Sequence, residues 1–385
     1  MMRVAMIEPV GGHGGMNYYD LALARSVEAH GIETTLFTST LDDREREAVS
    51  DLRLYYEGVF GPDHALLRGL RFLRATLRSV ALARSQRARL AHIHLFETGL
   101  KEWLLVKALR RAGLRIVATA HDVVSLADDS SRVGRFAREI YRSLDVVIAH
   151  NEAIESAIVG EMEVSPSRVR RIPHPTYEGS PRTDASREAA RRRFGIESDR
   201  PVILFFGQIK RAKGLDVLLE AMPSVLAQHP DAILLIAGKL WKDDWCDYQD
   251  RIDALGIGHA IDARLGYVPD EDAVRLFHAS DVAVYPYRRI YQSGGVLMAI
   301  SHETPVVVSD LPAFRSTIDH GKTGLVFENG SPEQLGDRLI RTLRSPRQAA
   351  KMACAARAQV ESEQGWGVIG ERTSSVYRSL AAEQR

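Results

Sequence analysis

The sequence predicts an α/β protein made of two domains, each with a doubly wound parallel sheet. Three observations lead to this fold class. Short apolar segments alternate with helical patterns along the whole chain, as expected for parallel sheets covered by helices. The chain has 385 residues, more than one hydrophobic core usually serves. A proline-rich and arginine-rich stretch at 173–201 separates two sets of strands, each large enough to form a sheet.

The predicted strands are apolar runs bounded by turn residues. The first set is Arg3–Glu8, Glu33–Phe37, His92–Leu95, Arg115–Thr119, Val146–Ala149 and Val169–Ile172, and the second is Val202–Phe206, Ala232–Ala237, Ala260–Leu265, Val282–Tyr285, Pro305–Ser309 and Gly324–Phe327. Ligands of open parallel sheets bind beyond the carboxyl ends of the strands. Two such sheets joined by one linker therefore predict a cleft between their carboxyl edges.

Composition narrows the class of protein. The 51 basic residues nearly balance the 50 acidic ones, giving a net charge of +1, so we expect no nucleic-acid partner. Two cysteines, Cys246 and Cys354, are too few for a zinc site and indicate a reducing compartment. The first predicted strand starts near residue 1 and no run of about 18 apolar residues occurs, so we expect neither a signal peptide nor a membrane span. These observations predict a cytoplasmic protein.

A basic loop follows the first strand of the second set. The chain turns after Val202–Phe206 and presents three cations before a helix begins; the loop residues are Gly207, Lys210, Arg211, Lys213 and Gly214. A strand, a basic loop and a helix N-terminus form an anion site at the carboxyl edge of a sheet. A solvated charge cluster is the alternative. Because three cations this close repel one another, we favour an anionic ligand and expect a diphosphate.

Glycines follow the first strand of the chain. The strand ends and a helix opens with Gly11, Gly12, His13, Gly14 and Gly15. Such a loop lets a ligand approach the backbone and exposes amide groups at a helix N-terminus. It is not the dinucleotide fingerprint, because Asn17 stands where the third glycine would fall, and no Gly-Lys-Ser/Thr follows as in a P-loop. A tight turn alone is the alternative.

Histidines follow two strands of the first set. His121 and Asp122 come directly after Arg115–Thr119 and Ala120, and His150 with Asn151 follows Val146–Ala149. A histidine at the carboxyl edge points toward the expected cleft and can hydrogen-bond a sugar hydroxyl. A structural role is the alternative for both histidines.

A second helix start carries glycines. The strand Val282–Tyr285 leads through Tyr287 to Ser293, Gly294 and Gly295, which open an apolar helix. Free amide groups and the helix dipole stabilise a phosphate at such a place. Ser293 as a simple N-cap is the alternative. The glycine after it weakens the helix start, which favours the close approach of a ligand.

The stretch 62–92 predicts a basic amphipathic helix. One face carries Leu66, Leu70, Leu73, Leu77 and Val80, and a second face carries Arg68, Arg71, Arg74 and Arg78. Such a helix can rest on anionic lipid, which would place the protein peripherally on the inner face of the cytoplasmic membrane. The alternative is a helix with its leucines in the core and its arginines in solvent.

These motifs together resemble the retaining GT-B-fold glycosyltransferases of family 4. The resemblance runs over essentially the whole length and is carried, in the family's order, by the glycine loop, His121-Asp122, Phe206-Gly207 through Lys213-Gly214, Ile236-Ala237-Gly238, Gly266-Tyr267-Val268-Pro269, Ala279-Ser280-Asp281-Val282, Pro286, Thr304-Pro305-Val306-Val307 and Asp319-His320-Gly321-Lys322-Thr323-Gly324. It implies two Rossmann-like domains. Residues 1–183, with a crossover helix at 366–385, would bind the acceptor, and residues 184–365 would bind the donor, a UDP- or GDP-linked sugar.

The resemblance also implies roles for the site residues. His121 and Lys213 would be catalytic. The donor would be held by Gly14, Gly15, Gly207, Lys210, Arg211, Lys213, Tyr287, Ser293, Gly294 and Gly295, and the acceptor side by Gly12, His13, Asn17 and Asp122. Lys210 or Arg211 would replace the arginine that the family usually has at Gln208. The acceptor would be a sugar, a lipid-linked molecule or a small molecule, and neither a metal nor a further cofactor is implied.

One motif departs from the family. The family usually has two glutamates separated by seven residues, and these would fall at Ile290 and Met298 in this chain. The segment before the helix instead resembles a Gln-Ser-Gly variant of that motif. Lysine and helix dipoles would stabilise the leaving diphosphate, and a front-side displacement would retain the sugar's configuration. The alternatives are a catalytically degenerate nucleotide-sugar-binding subunit that supports a partner transferase and, more remotely, a dehydrogenase.

Overall fold

The structure is a computed structural model that describes residues 2–11, 16–41, 49–121, 123, 135–177, 182–291 and 293–383. The chain forms two compact units, each with one parallel sheet, which confirms the predicted fold class. Unit 1 comprises Met1–Pro175 and Gln364–Arg385, and unit 2 comprises Thr176–Glu363. The family resemblance implied divisions at 183/184 and 365/366.

Unit 1 contains a seven-stranded parallel sheet with the order β3-β2-β1-β4-β5-β6-β7. Its strands are β1 (Met2–Ile7), β2 (Ile32–Phe37), β3 (Leu52–Arg53), β4 (Leu90–Leu95), β5 (Arg115–Ala120), β6 (Val146–Ala149) and β7 (Val169–Arg171). Its described helices are α1 (Met16–Glu28), α2 (Ala65–Ser85), α3 (Leu100–Arg111), α4 (Ala137–Arg142), α5 (Glu152–Gly160) and the final helix α14 (Trp366–Ala382).

The final helix belongs to unit 1 because it packs on α1 and the sheet. Ser26 on α1 donates a hydrogen bond to the Trp366 carbonyl. Tyr377 is buried, and its hydroxyl lies 2.5 Å from Nδ1 of His92 on β4. Val376 and Leu380 join the hydrophobic core of this unit. Helix α14 therefore supports the strands whose carboxyl ends carry the histidines described below.

Unit 2 contains a six-stranded parallel sheet with the order β10-β9-β8-β11-β12-β13. Its strands are β8 (Val202–Phe206), β9 (Ile233–Gly238), β10 (Ile261–Leu265), β11 (Val282–Tyr285), β12 (Val306–Ser309) and β13 (Leu325–Phe327). Its described helices are α6 (Asp184–Phe194), α7 (Leu215–Gln228), α8 (Trp245–Ala254), α9 (Asp270–Ala279), α10 (Gly294–Ser301), α11 (Pro312–Arg315), α12 (Pro332–Arg344) and α13 (Pro346–Gln364).

Strand β8 lies in the middle of this sheet. Val202 and Leu204 pack into the core on one face, and Ile203 and Phe205 pack into the core on the other. This is why the strand reads as an unbroken apolar run rather than as an alternating one. The carboxyl end of β8, where the basic loop begins, is therefore held by packing on both sides.

Every strand predicted from sequence is present, with ends that differ by at most two residues. The two-residue strand β3 was not predicted, because Leu52 and Arg53 are too short a segment to show any periodicity. In the parts of the chain that the structure describes, no helix is both long and apolar enough to cross a bilayer.

Candidate active site

The loop after β8 forms one part of the candidate site in unit 2. Residues Arg211–Lys213 make a single 3-10 turn, and Gly214 ends it with a φ of 67°. A Cβ atom on Gly214 would lie 1.9 Å from the carbonyl oxygen of Pro286, so only glycine fits at this position. Helix α7 begins at the next residue. The loop after β8 therefore packs directly on the loop that follows β11.

Hydrogen bonds join these two loops. The Arg288 amide donates to the Ala212 carbonyl at 2.9 Å. The Arg288 guanidinium donates to Asp216 in the first turn of α7 at 2.5 Å. The basic loop consequently has a fixed path, as a preorganised anion site requires.

Lys213 lies over the ring of Tyr287. Its Nζ is 3.7 Å from the ring centroid, within the range of a cation–π interaction. Tyr287 is buried, and burial raises the pKa of its phenol, so the ring stays uncharged. Ser309 donates to the Tyr287 carbonyl at 2.7 Å, which fixes the backbone beneath the ring. The ammonium group of Lys213 is thereby held at a defined place, while Lys210 is partly buried and Arg211 is exposed.

The start of α10 forms the second part of this site. Ser293 caps the helix, since its hydroxyl accepts a hydrogen bond from the Val296 amide at 3.4 Å. A Cβ atom on Gly294 would lie 2.5 Å from the Tyr177 hydroxyl oxygen, and one on Gly295 would lie 3.1 Å from the ring of Tyr285. Gly294 predicted the close approach of a ligand, but tyrosines of the same unit lie beside both glycines. Packing therefore favours glycine at both positions whether or not a ligand binds.

The positions of the expected glutamate pair are apolar. Ile290 and Met298 are partly buried and pack against the core of unit 2. Neither can accept a hydrogen bond from a ribose. Glu303, two residues after the end of α10, adopts a left-handed φ of 53°, a conformation that favours glycine.

In unit 1, polar side chains gather at the carboxyl edge of the sheet. They come from five neighbouring strands or the residues that follow them: Glu8 after β1, His94 on β4, His121 after β5, His150 after β6 and His174 after β7. The four histidine rings surround Tyr19 of α1 at centroid distances between 5.3 and 6.1 Å. Of these residues, only His121 and His150 were predicted from sequence.

These histidines are neutral. Burial lowers the pKa of His92 and of His150 to about 3 and that of His174 to about 4. Burial, reinforced by the neighbouring histidines, also lowers the pKa of His94 and of His121 well below the ordinary range. A neutral imidazole donates one hydrogen bond and accepts one. His121 can therefore orient a polar ligand but brings no positive charge to the site.

A chain of close contacts runs from His121 to the loop after β1. His121 Nε2 lies 3.0 Å from His94 Nδ1, and His94 Nε2 lies 3.5 Å from Asp20 Oδ1. Asp20 is buried, and neither of its carboxyl oxygens has a hydrogen-bond partner among the described residues. Burial, reinforced by the nearby Glu8, raises the pKa of Asp20, and burial also raises the pKa of Glu8. Glu8 in turn accepts hydrogen bonds from the amides of Val10 at 2.8 Å and Gly11 at 2.6 Å. We call Glu8, Asp20, His94 and His121 the buried polar chain.

A cavity of about 270 Å³ opens beside this chain. Its apolar walls come from Met16, Phe60, Phe72, Leu95, Phe96 and Leu105, and its polar lining comes from Glu8, His94, Glu97, Lys101 and Glu102. Phe96 also stacks on His121, with ring centroids 4.4 Å apart and nearly parallel planes. The cavity therefore combines apolar walls with the polar groups of the chain, as small-molecule sites generally do.

Helix α2 turns its leucines toward solvent, so the alternative in which they pack in the core is wrong. The exposed fractions are 81% for Leu66, 65% for Leu70, 42% for Leu73 and 57% for Leu77. We call these four residues the leucine stripe. The face that packs on the sheet instead carries Phe72, Ala75, Thr76, Ser79 and Ala83. Small and polar residues at these positions hid the buried face from a search for apolar periodicity.

The arginines of α2 divide into two pairs. Arg68 donates to the Gly61 carbonyl at 3.3 Å, and Arg71 donates to the Gly58 carbonyl at 2.9 Å and pairs with Asp63. These two arginines hold the segment before the helix. Arg74 and Arg78 are exposed, although Arg78 also lies over the ring of Tyr55.

Several predicted residues cannot be placed. Gly12, His13, Gly14, Gly15 and Asp122 lie outside the described residues. Asn17 lies on α1, and Gly207 turns the chain out of β8 with a φ of 117°. Asn151 caps α5 by accepting from the Ile154 amide, and His150 Nδ1 lies 2.9 Å from the Ile172 carbonyl oxygen. Among the described residues, no three or more His, Cys, Asp or Glu side chains are arranged to hold a metal ion.

Comparison with known families divides the chain in the same way. Residues 186–359 match glycosyl transferases group 1, and residues 13–176 match Glycosyltransferase Family 4. A D-inositol 3-phosphate glycosyltransferase from a Nocardioides species is 25% identical over 100% of this chain and 91% of its own length. A GDP-mannose-dependent monoacylated alpha-(1-6)-phosphatidylinositol monomannoside mannosyltransferase from Corynebacterium glutamicum is 30% identical over 54% of this chain and 57% of its own.

Solved structures share the fold. Sucrose-phosphate synthase from Thermosynechococcus elongatus superimposes with a TM-score of 0.77 at 19% identity, over 100% of both chains. The Anabaena protein HepE in complex with UDP superimposes with a TM-score of 0.73 at 16% identity, over 98% of this chain and 100% of its own.

Proposed function

Because the chain belongs to the GT-B glycosyltransferases of group 1 and family 4, we propose that it is a retaining enzyme that transfers a sugar from a UDP- or GDP-sugar to an acceptor hydroxyl. We propose a role in cell-surface polysaccharide or glycolipid synthesis. Unit 2 would bind the donor and unit 1 the acceptor. The observation that carries the proposal is Lys213, which stands over Tyr287 at the carboxyl edge of the unit 2 sheet.

The charge arrangement supports a diphosphate as the ligand of this loop. Lys213 lies next to the N-terminus of α7, where the helix dipole is positive. An anion bound here would be stabilised both by the ammonium group of Lys213 and by the positive end of the helix dipole. Lys210 and Arg211 on the same loop and the capped start of α10 would add to the attraction, together with the amides of Gly14 and Gly15.

These groups would also supply the chemistry. The bond from the sugar to the diphosphate breaks, and the negative charge on the leaving diphosphate grows in the transition state. Lys213 would stabilise that charge without reorganisation, because Tyr287 already holds its ammonium group in place. The acceptor oxygen would attack on the face that the diphosphate leaves, passing its proton to a diphosphate oxygen, and the configuration would be retained. The mechanism uses neither a metal nor a further cofactor.

His121 would hydrogen-bond a hydroxyl of the transferred sugar. As a neutral imidazole it would orient the sugar rather than stabilise the leaving group. Loss of His121 should therefore lower kcat more than it weakens binding of the nucleotide. An unchanged kcat, or a variant that does not fold, would return His121 to a purely structural role.

The similar proteins support a nucleotide-diphosphate donor without selecting its base. One is described as GDP-mannose-dependent, and another was solved with UDP-glucose. The apolar side chains of Ile290 and Met298 remove the carboxylates that the family usually offers at these positions. We propose that donor choice in this chain depends on other contacts.

The cavity of unit 1 and helix α2 suggest a lipid-linked acceptor. Phe72 of α2 lines the cavity, while the leucine stripe and Arg74 and Arg78 lie on exposed parts of the same helix. Leucines bury in the acyl region of a bilayer and arginines pair with anionic headgroups. We propose that α2 rests on an anionic membrane surface, on the cytoplasmic side. The acceptor's apolar part would then reach the cavity from the lipid.

One competing function has a specific observation in its favour. The missing glutamate pair suits a subunit that binds a nucleotide sugar without turning it over. The experiment that distinguishes the enzyme from the binding subunit begins with a screen of UDP-, GDP- and ADP-sugars for a shift in melting temperature. A ligand at 100 times its Kd adds about 2.7 kcal/mol of stability. The stabilising donor is then radiolabelled. If nucleotide is released while the label is transferred to an acceptor, or is released slowly in the absence of an acceptor, the result supports an enzyme. Tight binding of the donor without turnover supports a nucleotide-sugar-binding subunit.

A further inference from the structure

The cavity of unit 1 carries more acidic than basic groups. Its described lining includes the carboxyl groups of Glu8, Glu97 and Glu102 and the ammonium group of Lys101. His94 adds no charge, because burial holds its pKa well below the ordinary range. We propose that this cavity binds a protonated amino group together with the apolar part of the molecule that carries it, and that Glu97 and Glu102 select for the positive charge. That this amine is the acceptor of a transfer rests on the proposed function, whereas its binding does not.

Glu102 lies partly buried in the first turn of α3. Its Oε2 accepts a hydrogen bond from the Gly99 amide at 3.0 Å, which fixes the carboxyl group at the helix start. Burial raises the pKa of Glu102 and the charge of Glu97 adds to this, although Lys101 and the Gly99 amide act in the opposite direction. The groups around Glu102 therefore do not fully offset the cost of burying its charge. A positively charged ligand would offset it.

The ammonium group of Lys101 lies over an aromatic ring. Its Nζ is 5.1 Å from the ring centroid of Phe60, within the range of a cation–π interaction. In the described part of the chain, neither Glu97 nor Glu102 forms an ion pair. Two carboxyl groups thus line a partly enclosed space without an ion-pair partner from the protein.

The apolar walls favour an organic amine. Phe60, Phe72 and Phe96 line the cavity together with Leu95 and Leu105. The face of an aromatic ring attracts an alkylammonium group, and Lys101 already provides one example within this chain. The same walls would remove the carbon atoms beside the amine from water. A hydrated inorganic cation has no apolar surface to bury, so the rings would contribute nothing to its binding.

A phosphate group in this cavity is disfavoured by the same charges. It would bring up to about two negative charges at pH 7 close to Glu97 and Glu102. Burial raises the pKa of Glu8, but these two carboxyl groups alone outnumber the single ammonium group of the described lining. Charges that are partly buried are screened less by salt than exposed ones. The cavity is therefore opposite in charge to the basic loop of unit 2, which suits a diphosphate.

The first test measures binding without any activity. The probes hexylamine, 1-hexanol and hexyl phosphate share one alkyl chain and differ in the charge of the head group. Their dissociation constants for the full-length protein are measured at pH 7.0 by isothermal titration calorimetry. We expect hexylamine to bind at least about 10-fold more tightly than hexanol, the effect of one nearby opposite charge in a partly buried site, and hexyl phosphate to bind more weakly than hexanol. Equal affinities, no binding of hexylamine, or tightest binding of hexyl phosphate would overturn the proposal.

Amide variants locate the bound amine. Glu97→Gln and Glu102→Gln keep the side-chain size, and a glutamine oxygen at position 102 can still accept from the Gly99 amide. Each variant should weaken hexylamine binding by about 10-fold and leave hexanol binding nearly unchanged. Glu371→Gln, at an exposed position on α14 outside the cavity lining, removes the same charge from unit 1 and serves as the control. If hexylamine binding survives in both cavity variants, or falls equally in the control, the amine binds elsewhere and the proposal is wrong.

The outcomes separate this inference from the proposed function. With the stabilising donor, transfer is measured to hexyl glucosaminide, to its N-acetylated form and to hexyl glucoside 6-phosphate. The highest kcat/KM for the free amine supports an amine-bearing acceptor, whereas a higher value for either other sugar contradicts it even though the chain is an enzyme. If hexylamine binds as expected but no donor is turned over, the amine site stands and the proposed enzyme fails. If Glu102→Gln does not fold, as judged by its thermal transition, wild type and Glu97→Gln still decide.

Discussion

Acidification should unfold unit 1, because it holds five histidines in the neutral state. His92, His94, His121 and His150 are buried, and His174 is partly buried beside them. A histidine in the unfolded chain has a pKa near 6.5. Burial lowers the folded pKa to about 3 for His92 and His150 and to about 4 for His174. Below pH 6.5 the unfolded chain therefore binds more protons than the folded one, and stability is lost as the pH falls toward 4.

The size of the effect follows from the number of groups. Each such histidine costs about 1.4 kcal/mol per pH unit below 6.5, or about 2 kcal/mol at pH 5. Glu8 and Asp20 act in the opposite sense, because their raised pKa values let the folded state hold protons that the unfolded state releases above about pH 4. Even with both carboxyl groups protonated up to pH 6.5, five groups against two leave a slope of at least about 4 kcal/mol per pH unit. A loss of at least about 6 kcal/mol at pH 5 is comparable with the whole stability of a typical domain.

The assay is urea denaturation of the full chain at pH 7.5, 6.5 and 5.5, followed by tryptophan fluorescence. Trp103 and Trp366 report on unit 1, and Trp241 and Trp245 report on unit 2, so Trp→Phe variants separate the two transitions. His174→Gln should reduce the slope by about one proton. His259→Gln, at an exposed position in unit 2, serves as the control. A unit 1 transition that loses less than about 1.4 kcal/mol per pH unit, or a slope unchanged by His174→Gln, would refute the reasoning.

Three further predictions concern the loop, the membrane face and a strained residue. Gly214→Ala places a Cβ atom 1.9 Å from a carbonyl oxygen, so it should cost unit 2 at least about 2 kcal/mol in urea denaturation. Gly256→Ala, with nearly the same φ but open space, should cost only about 1 kcal/mol. Replacing the leucine stripe with glutamine should weaken binding to vesicles containing anionic lipid by at least about 100-fold. Replacing Arg74 and Arg78 should make the binding that remains in that variant insensitive to salt. If neither replacement changes sedimentation with the vesicles, the acceptor is a soluble molecule. Glu303 has a φ of 53° and forms an ion pair with Arg357 at 3.7 Å. Glu303→Gly relieves the backbone strain and should raise the free energy of unfolding by about 1 kcal/mol, whereas a decrease would show that the ion pair contributes more than the strain costs.

The sequence predicted the parallel strands well because their residues are buried on both faces. Val202–Phe206 is a continuous apolar run, and such runs have few other places in a soluble protein. Helix α2 shows where this reasoning fails. Its leucines repeat at helical spacing, yet they are exposed, while Ala75 and Ser79 pack on the sheet. Periodicity identifies the helix but not the side that faces the core, because that depends on the shape of the surface it meets.

The candidate site was predicted unevenly for a similar reason. The basic loop is contiguous in sequence, so Lys213 and Gly214 could be found together. The buried polar chain joins Glu8, Asp20, His94 and His121 from four separate segments, and only the strand order brings them together. One signal was present in the sequence, since His94 follows His92 by two residues within an otherwise apolar strand. The need for Gly294 could not be read at all, because Tyr177, which fills the space beside it, lies over a hundred positions away.

The central claim is that Lys213 stabilises the leaving diphosphate, and Lys213→Ala tests it most directly. With the stabilising donor identified, the rate of nucleotide release is measured for wild type, Lys213→Ala and Lys322→Ala. Lys322 is exposed in the turn before β13, at the amino edge of the same sheet. Lys322→Ala therefore removes one positive charge from unit 2 away from the basic loop and serves as the control. We predict a loss of about 100-fold or more in kcat for Lys213→Ala, the scale of removing one preorganised charge, with an unfolding transition near wild type and no change for Lys322→Ala. A wild-type rate in Lys213→Ala, or an equal loss in both variants, would contradict the account.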